Sequence, residues 1–129
     1  LGDTLNVTGS TVLADTLTVT GNVTGSSGLK ALADGLSFPL KTVTSTTYNV
    51  LLLDYTILAD TTSNNVTVTL PSAPNAIRKI YNIKKINSSN TLNIGTTGAA
   101  TIDGDASKSI TTLYESLTLQ CDGTNWHII

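Results

Sequence analysis

The chain has 129 residues, a net charge of −2 and only 12% charged residues. This is about half the charged share of an average globular protein, and it excludes the dense Lys and Arg footprint of a nucleic-acid-binding protein. The polar residues are instead Thr, Ser and Asn, which make up 47 of the 129 residues. Because Thr is β-branched and fits a pleated surface, the composition indicates strands with uncharged outer faces. No run of 18 apolar residues occurs, so we expect no membrane-inserted segment.

A short repeat lies at the start of the chain. The sequence DTLNVTG at residues 3–9 recurs as DTLTVTG at residues 15–21, an offset of 12 residues. Each copy alternates Leu or Val with Thr or Asn and ends in Gly, which predicts a short strand and a turn. Such a unit is too small to bury its apolar face alone. Because it has no cysteine for a disulfide and no metal-ligand cluster, oligomerisation is the remaining way to stabilise it. The residues expected to face a shared trimer axis are Leu5, Val7, Leu17, Val19 and Val23.

The chain divides into three predicted regions. Residues 1–28 are the repetitive β shaft, residues 29–41 a neck, and residues 42–129 a β head. A disordered Gly/Ser/Thr linker is the alternative for the shaft, but its apolar positions are periodic, and a linker has no reason to keep a period. In the neck, the spacing of Leu29, Leu32 and Leu36 fits two helical turns, and Pro39 prevents their continuation. Since residue 1 is Leu, we expect a longer natural chain upstream.

The head is predicted to be all-β, a sandwich or barrel-like fold of eight short strands. Residues 80–86 are the ambiguous segment, because isoleucine recurs every three residues from Ile77 to Ile86 and also fits a helix face. A strand is favoured there by its neighbours. Asp103-Gly104 and Asp122-Gly123 predict tight turns, and the second should join the last two strands as a hairpin. The predicted strands are residues 42–53, 55–59, 66–70, 80–86, 91–94, 109–112, 115–121 and 126–129.

Residues with catalytic or metal-binding chemistry are few. His127 is the only histidine and lies in the terminal strand, where a structural role is favoured over a Cys-His or Ser-His site. Cys121 is expected to be a buried, inert thiol. Asp103, Asp105 and Asp122 are oxygen donors of the calcium-binding type, but their spacing matches no EF-hand loop and turn chemistry explains them better. We therefore expect no enzymatic activity, no cofactor and no metal site. Trp126 is expected in the core, with sugar stacking as the alternative.

Six segments carry a resemblance to a known family. They are DYTIL at 54–58, VTVTLP at 66–71, YNIKKI at 81–86, TIDG at 101–104, YESLTL at 114–119 and DGTNW at 122–126. In this order they resemble the C-terminal domain of many bacteriophage fibre and appendage proteins, over roughly residues 50–129. The repeat also resembles the shaft of trimeric phage fibres. The resemblance implies a homotrimer that is a virion surface appendage, joined to other virion proteins upstream of residue 1. It does not indicate which residues would bind a receptor.

Three functions follow as expectations. The first is a non-enzymatic virion fibre component whose head attaches to the host surface, with a glycan as the candidate receptor. The second keeps the trimer but makes the head a purely structural cap of the fibre. The third is a monomeric, secreted bacterial carbohydrate-binding module, which leaves the repeat unexplained. For the first, the residues proposed to contact a receptor are Asn87, Asn90, Asp103, Asp105, Lys108 and Asn125.

Overall fold

The computed structural model describes residues 38–129, which contain nine strands, one turn of 3-10 helix and no α-helix. The prediction of an all-β head is confirmed. The shaft, most of the neck and the five axis residues Leu5, Val7, Leu17, Val19 and Val23 lie outside the described residues. The strands are β1 (Leu40–Val43), β2 (Thr47–Asn49), β3 (Thr56–Ala59), β4 (Val66–Thr69), β5 (Ile80–Lys85), β6 (Leu92–Gly95), β7 (Ser107–Ile110), β8 (Ser116–Cys121) and β9 (Trp126–Ile128), with the 3-10 turn at Ala73–Asn75 between β4 and β5.

The strands alternate between two mixed sheets. Odd-numbered β1, β3 and β5 pair in parallel in a five-stranded sheet of order β1-β3-β5-β8-β9. Even-numbered β2, β4 and β6 pair in parallel in a four-stranded sheet of order β2-β4-β6-β7. Parallel neighbours need a crossover connection, and here each crossover is a strand of the facing sheet. The chain thus makes three parallel turns of a coil before β7, β8 and β9 pair antiparallel.

One core lies between the two sheets, and strict alternation along each strand builds it. In β4 the two Val side chains are buried and the two Thr side chains are half-exposed. In β5 the buried positions are Tyr81, Ile83 and Lys85. The core therefore combines residues of both sheets in a single cluster. Burial of such apolar surface contributes about 25 cal/mol per Å² and is the main stabilising term.

The isoleucine spacing at residues 77–86 is resolved in favour of a strand. Of the isoleucines from Ile77 to Ile86, only Ile83 is fully buried, and Tyr81 and Lys85 share its face. A period of two therefore describes the segment better than a period of three. Pro74 lies in the first turn of the short 3-10 helix, where its missing N–H costs nothing.

Residues 42–53 are not one strand, as the sequence predicts, but parts of two. The chain bends at residues 44–46, and β1 and β2 belong to different sheets. Val50 is buried, yet Leu52 lies in an exposed turn, so the apparent alternation of residues 48–52 crosses a strand end. The predicted strand at 109–112 begins two residues earlier, at Ser107. β1 begins at Leu40, two residues inside the predicted neck.

Both Asp-Gly turns are confirmed. Asp103 and Gly104 have φ values of 47° and 86°, the left-handed conformation that a tight type I′ turn requires. Ile102 and Asp105 exchange two backbone hydrogen bonds across this turn, of 2.7 and 3.0 Å. Asp122-Gly123 joins β8 to β9 as the predicted hairpin, with Cys121 opposite Trp126. No helix among residues 38–129 is long and apolar enough to cross a membrane.

Candidate functional site

The coil has two sides, formed by the loops at the two ends of its strands. On one side the chain leaves the carboxyl ends of β2, β4, β6 and β8. We call this the cleft side, and its loops are residues 50–55, 70–79, 96–106 and 122–125. The opposite side carries the loops 44–46, 60–65, 86–91 and 111–115. Three surface clefts lie on the cleft side, each with a volume of about 350–410 Å³.

The central cleft, of about 410 Å³, has a neutral lining. Its walls are the segments 72–74, 97–100 and 123–125, which contain only Ser, Thr, Asn, Gly, Ala and Pro. Hydroxyl, amide and backbone groups are the donors and acceptors that such a surface offers. No side chain in the lining carries a charge. The chemistry of the cleft therefore suits a neutral polar ligand better than an anion or a cation.

Hydrogen bonds join the three walls of the central cleft. The Cys121 thiol donates to the Ala73 carbonyl and accepts from the Gly123 amide, both at 3.4 Å. Thr97 donates its hydroxyl to the Leu70 carbonyl at 2.8 Å. The Asn125 side-chain oxygen accepts from the amide and the hydroxyl of Thr101, at 2.9 and 3.0 Å. These bonds leave the cleft largely preformed, as most small-ligand sites are.

Next to this cleft, His127 lies between two carboxylates. Its Nε2 is 2.9 Å from Asp122 Oδ2, and its Nδ1 is 3.6 Å from Asp103 Oδ1. The other oxygen of Asp122 accepts the amides of Thr124 and Asn125, each at 2.7 Å. These backbone bonds, above all from Asn125, together with His127 lower the pKa of Asp122 to about 2. Asp122 thereby holds the hairpin turn that forms one wall of the central cleft.

Acid is expected to destabilise the protein through this carboxylate. The folded-state pKa of Asp122 lies below its ordinary value of 3.8. The stabilisation that ionised Asp122 gives the folded state is therefore complete above about pH 4 and is lost as the pH falls through about 2. Hydrogen bonds from Thr62 lower the pKa of Asp60 in the same sense. We expect the free energy of unfolding, measured with urea, to fall across this window. Asp122→Asn keeps an acceptor for the turn and should flatten the decline, whereas parallel curves for the two proteins would contradict the assignment.

Cys121 and His127 do not form a catalytic pair. Cys121 is opposite Trp126 and faces the core, whereas His127 is opposite Gln120 and faces outward. Burial raises the pKa of the Cys121 thiol, which disfavours the reactive thiolate. Cys121 is buried as the sequence predicts. Among residues 38–129, no three His, Cys, Asp or Glu side chains are arranged to hold a metal ion.

The structure separates the six residues proposed to contact a receptor. Asp103, Asp105, Lys108 and Asn125 lie on the cleft side, where Lys108 Nζ is 2.5 Å from Asp105 Oδ2. Asn87 and Asn90 lie on the opposite side, in a loop whose side chains bond to backbone. Asn87 accepts from the Ser89 amide at 2.8 Å, and Asn90 donates to the Thr61 carbonyl at 2.8 Å. Only Asn125 lines the central cleft, and a receptor role for the six residues stays a prediction.

Two features of the cleft side are missed by the sequence analysis. The first is the pair of wall segments 72–74 and 97–100, whose run of small residues between strands is the only signal that points to them. The second is a group of exposed large apolar side chains at the start of the described chain. Their exposed fractions are 54% for Phe38, 62% for Leu40, 60% for Leu51, 43% for Leu52 and 82% for Leu53. A run of leucines predicts burial, so this exposure marks a surface feature.

Trp126 lies in the core as the sequence predicts, fully buried and 5.5 Å from the ring of Tyr81. It therefore offers no face for sugar stacking.

No protein-family model matches the chain, and no curated protein matches it in sequence.

Proposed function

We propose that the chain is a non-enzymatic, homotrimeric component of a virion fibre whose head attaches to a host-surface glycan. The observation that carries the attachment role is the neutral central cleft, with its hydroxyl, amide and backbone groups held in place. Neutral sugars present hydroxyl groups that pair with such donors and acceptors. One shallow cleft of this kind binds weakly, and three copies on one fibre raise the overall avidity without any new contact.

The shaft supports the fibre part of the proposal. Its two copies of a seven-residue sequence, 12 residues apart, are predicted strands that need partners to bury their Leu and Val side chains. In the head, β1 to β6 form a coil of short parallel strands, an architecture that is compatible with a β-structured shaft preceding it. In this proposal the upstream virion proteins join the chain before residue 1. A stable monomer in sedimentation of the full chain would refute the homotrimer.

The glycan contact is tested on the full chain with a matched pair of substitutions. Thr124 lies in the wall of the central cleft and is exposed. Thr111 is exposed on the opposite side. On a glycan array and on intact host cells, we expect Thr124→Val to weaken binding about tenfold, since one lost hydrogen bond costs about 1–1.5 kcal/mol. Thr111→Val should leave binding unchanged, and equal effects of both variants would contradict a contact at the cleft.

An alternative function is a purely structural cap of the fibre. The exposed apolar group at Phe38, Leu40 and residues 51–53 favours it, because such a surface suits contact between chains. A fibre cap predicts trimers that fail to form when the head is removed, and no glycan binding by the intact chain. Glycan binding together with trimers that survive removal of the head favours attachment.

A further inference from the structure

Three consecutive leucines lie in the turn between β2 and β3, with exposed fractions of 60%, 43% and 82% for Leu51, Leu52 and Leu53. This turn, residues 51–54, is called the leucine turn below. Exposing such side chains forgoes burial of about 1.5–3 kcal/mol each. A monomer would gain from folding them inward. The structure instead fixes the turn in a conformation that keeps them in solvent.

Four hydrogen bonds hold the leucine turn. Asp54 Oδ2 accepts from the Tyr48 hydroxyl and from the Leu51 amide, both at 2.8 Å. The Asp54 amide donates to the Leu51 carbonyl at 3.1 Å, which closes the turn. The hydroxyl of Tyr81, a fully buried residue, donates to the same carbonyl at 3.2 Å. The leucines are thus presented on a frame anchored in the core, and a preorganised surface loses little entropy on contact.

The leucine turn continues into a larger apolar surface at the start of the described chain. Phe38 stacks on Tyr55 with ring centres 4.3 Å apart. Phe38, Leu52 and Leu53 line one cleft of about 400 Å³. Leu40 and Leu51, which neighbour these residues along the chain, are exposed as well, and a group of exposed large apolar side chains marks an interaction surface. A stable interface buries roughly 800 Å² per partner, so this surface could form its apolar centre.

The occupant that fits this surface is a second copy of the chain. The surface begins at Phe38, directly after the 37 residues that contain the repeat. That repeat requires other copies to bury its Leu and Val side chains. Copies joined by it would raise the effective concentration of their heads around one another. The negatively charged Asp54 and the positively charged Arg78 and Lys79 line the cleft that Phe38, Leu52 and Leu53 share. None of the three charged residues takes part in an ion pair within residues 38–129, so each can pair with an opposite charge of a second copy.

We propose that Phe38, Leu40 and the leucine turn are the contact through which the heads of neighbouring chains pack against each other. This inference rests on the homotrimer of the proposed function and adds the surface that the heads use. In a homotrimer the contact is cyclic, so that the three equivalent surfaces meet around one axis. It does not involve the central cleft, which stays open to a ligand.

Cysteine labelling of the full chain tests the contact, with Leu53→Cys and Leu113→Cys as a matched pair. In a single chain Leu53 is 82% exposed and Leu113 is 40% exposed, while the native Cys121 is buried. Exposure alone therefore predicts faster maleimide labelling at position 53. The contact predicts the reverse. In the assembled protein we expect labelling at position 53 to be at least about tenfold slower than labelling at position 113. A short bis-maleimide should join Leu53→Cys chains, but not Leu113→Cys chains, into dimers that persist in SDS.

The outcomes separate this inference from the proposed function. A trimer in sedimentation with faster labelling at position 53 refutes the head contact and leaves the trimer standing. A monomer refutes both. Slow labelling without cross-linking between chains means that another part of the same chain covers the leucine turn, which also refutes the contact. If the cysteine variants fail to fold, Leu53→Asp and Leu113→Asp replace them, and only the former should raise the dissociation constant of the trimer, by about tenfold or more.

Discussion

Replacing Trp126 with alanine is expected to unfold the head or leave it marginally stable. Trp126 is fully buried in β9 and packs against Tyr81, which lies across the five-stranded sheet in β5. Deleting a buried Trp side chain typically costs about 3–5 kcal/mol, because the cavity is only partly refilled. The whole free energy of unfolding of a domain of this size is about 5–15 kcal/mol. Chemical denaturation followed by circular dichroism would measure the loss, and the exposed Leu113→Ala variant should stay within about 0.5 kcal/mol of the wild type.

A second substitution at the same position separates packing from polarity. The Nε1 of Trp126 has no hydrogen-bond partner among the described residues although it is buried. A buried donor without a partner costs about 1–3 kcal/mol, and Trp126→Phe removes that donor while keeping most of the ring. We therefore expect Trp126→Phe to lose less than about 2 kcal/mol. If Phe and Ala cost the same, then packing of the aromatic ring is not what makes Trp126 important.

The individual strands could be predicted because each carries its own pattern. In β4, two Val side chains alternate with two Thr side chains, and this alternation alone decides which face is buried. The two Asp-Gly turns are equally local, since only a few residue types adopt positive φ readily. The least certain prediction, a strand at 80–86, is decided by Tyr81, whose burial on the same face as Ile83 follows a period of two.

The pairing of strands could not be predicted from the sequence. Alternation ordinarily indicates an antiparallel sheet with one solvated face, yet here the parallel strands β3 to β6 alternate between buried and half-exposed residues as well. The structural equivalents Val66 and Leu92 are 26 residues apart, whereas Thr47 and Thr67 are 20 apart. Successive turns of the coil thus differ in length and share no sequence repeat, which removes the usual signal of a solenoid. The bend at residues 44–46, where the chain changes sheets, has no Gly or Pro to mark it.

The candidate sites were predictable only in part, for a related reason. The sequence analysis proposes Asn125 as a receptor contact, and the Asp122-Gly123 turn brings this residue to the central cleft. Its partners in the walls come from loops 25 and more residues away, and their positions depend on the strand pairing. The exposure of Leu53 depends on Asp54, whose carboxylate accepts a hydrogen bond from the Leu51 amide and holds the leucine turn. Hydrophobicity alone predicts the opposite environment for that residue.

Lys85 is the buried residue that departs most from its expected environment. It is fully buried at the end of β5, and its Nζ donates a hydrogen bond to the Asn87 carbonyl. None of the ion pairs found in residues 38–129 includes it. Removing an ammonium group from water costs several kcal/mol, whereas one hydrogen bond to a charged group contributes about 1.5–3 kcal/mol. The desolvation is the larger of these two typical values, so we expect the charge of Lys85 to be a net cost to the fold.

Opposite changes in stability are therefore expected from two substitutions of Lys85. Lys85→Met keeps the length of the apolar stem and removes the charge, and it should raise the free energy of unfolding by about 1 kcal/mol or more. Lys85→Glu places a carboxylate against the Asn87 carbonyl and should lower it by more than about 4 kcal/mol. The control is Lys84→Met on the outer face, where Lys84 Nζ lies 5.5 Å from the centre of the Tyr114 ring and a change within about 1 kcal/mol is expected. A loss of stability in Lys85→Met would mean that the bond to Asn87, which fixes the loop after β5, outweighs the desolvation of the ammonium.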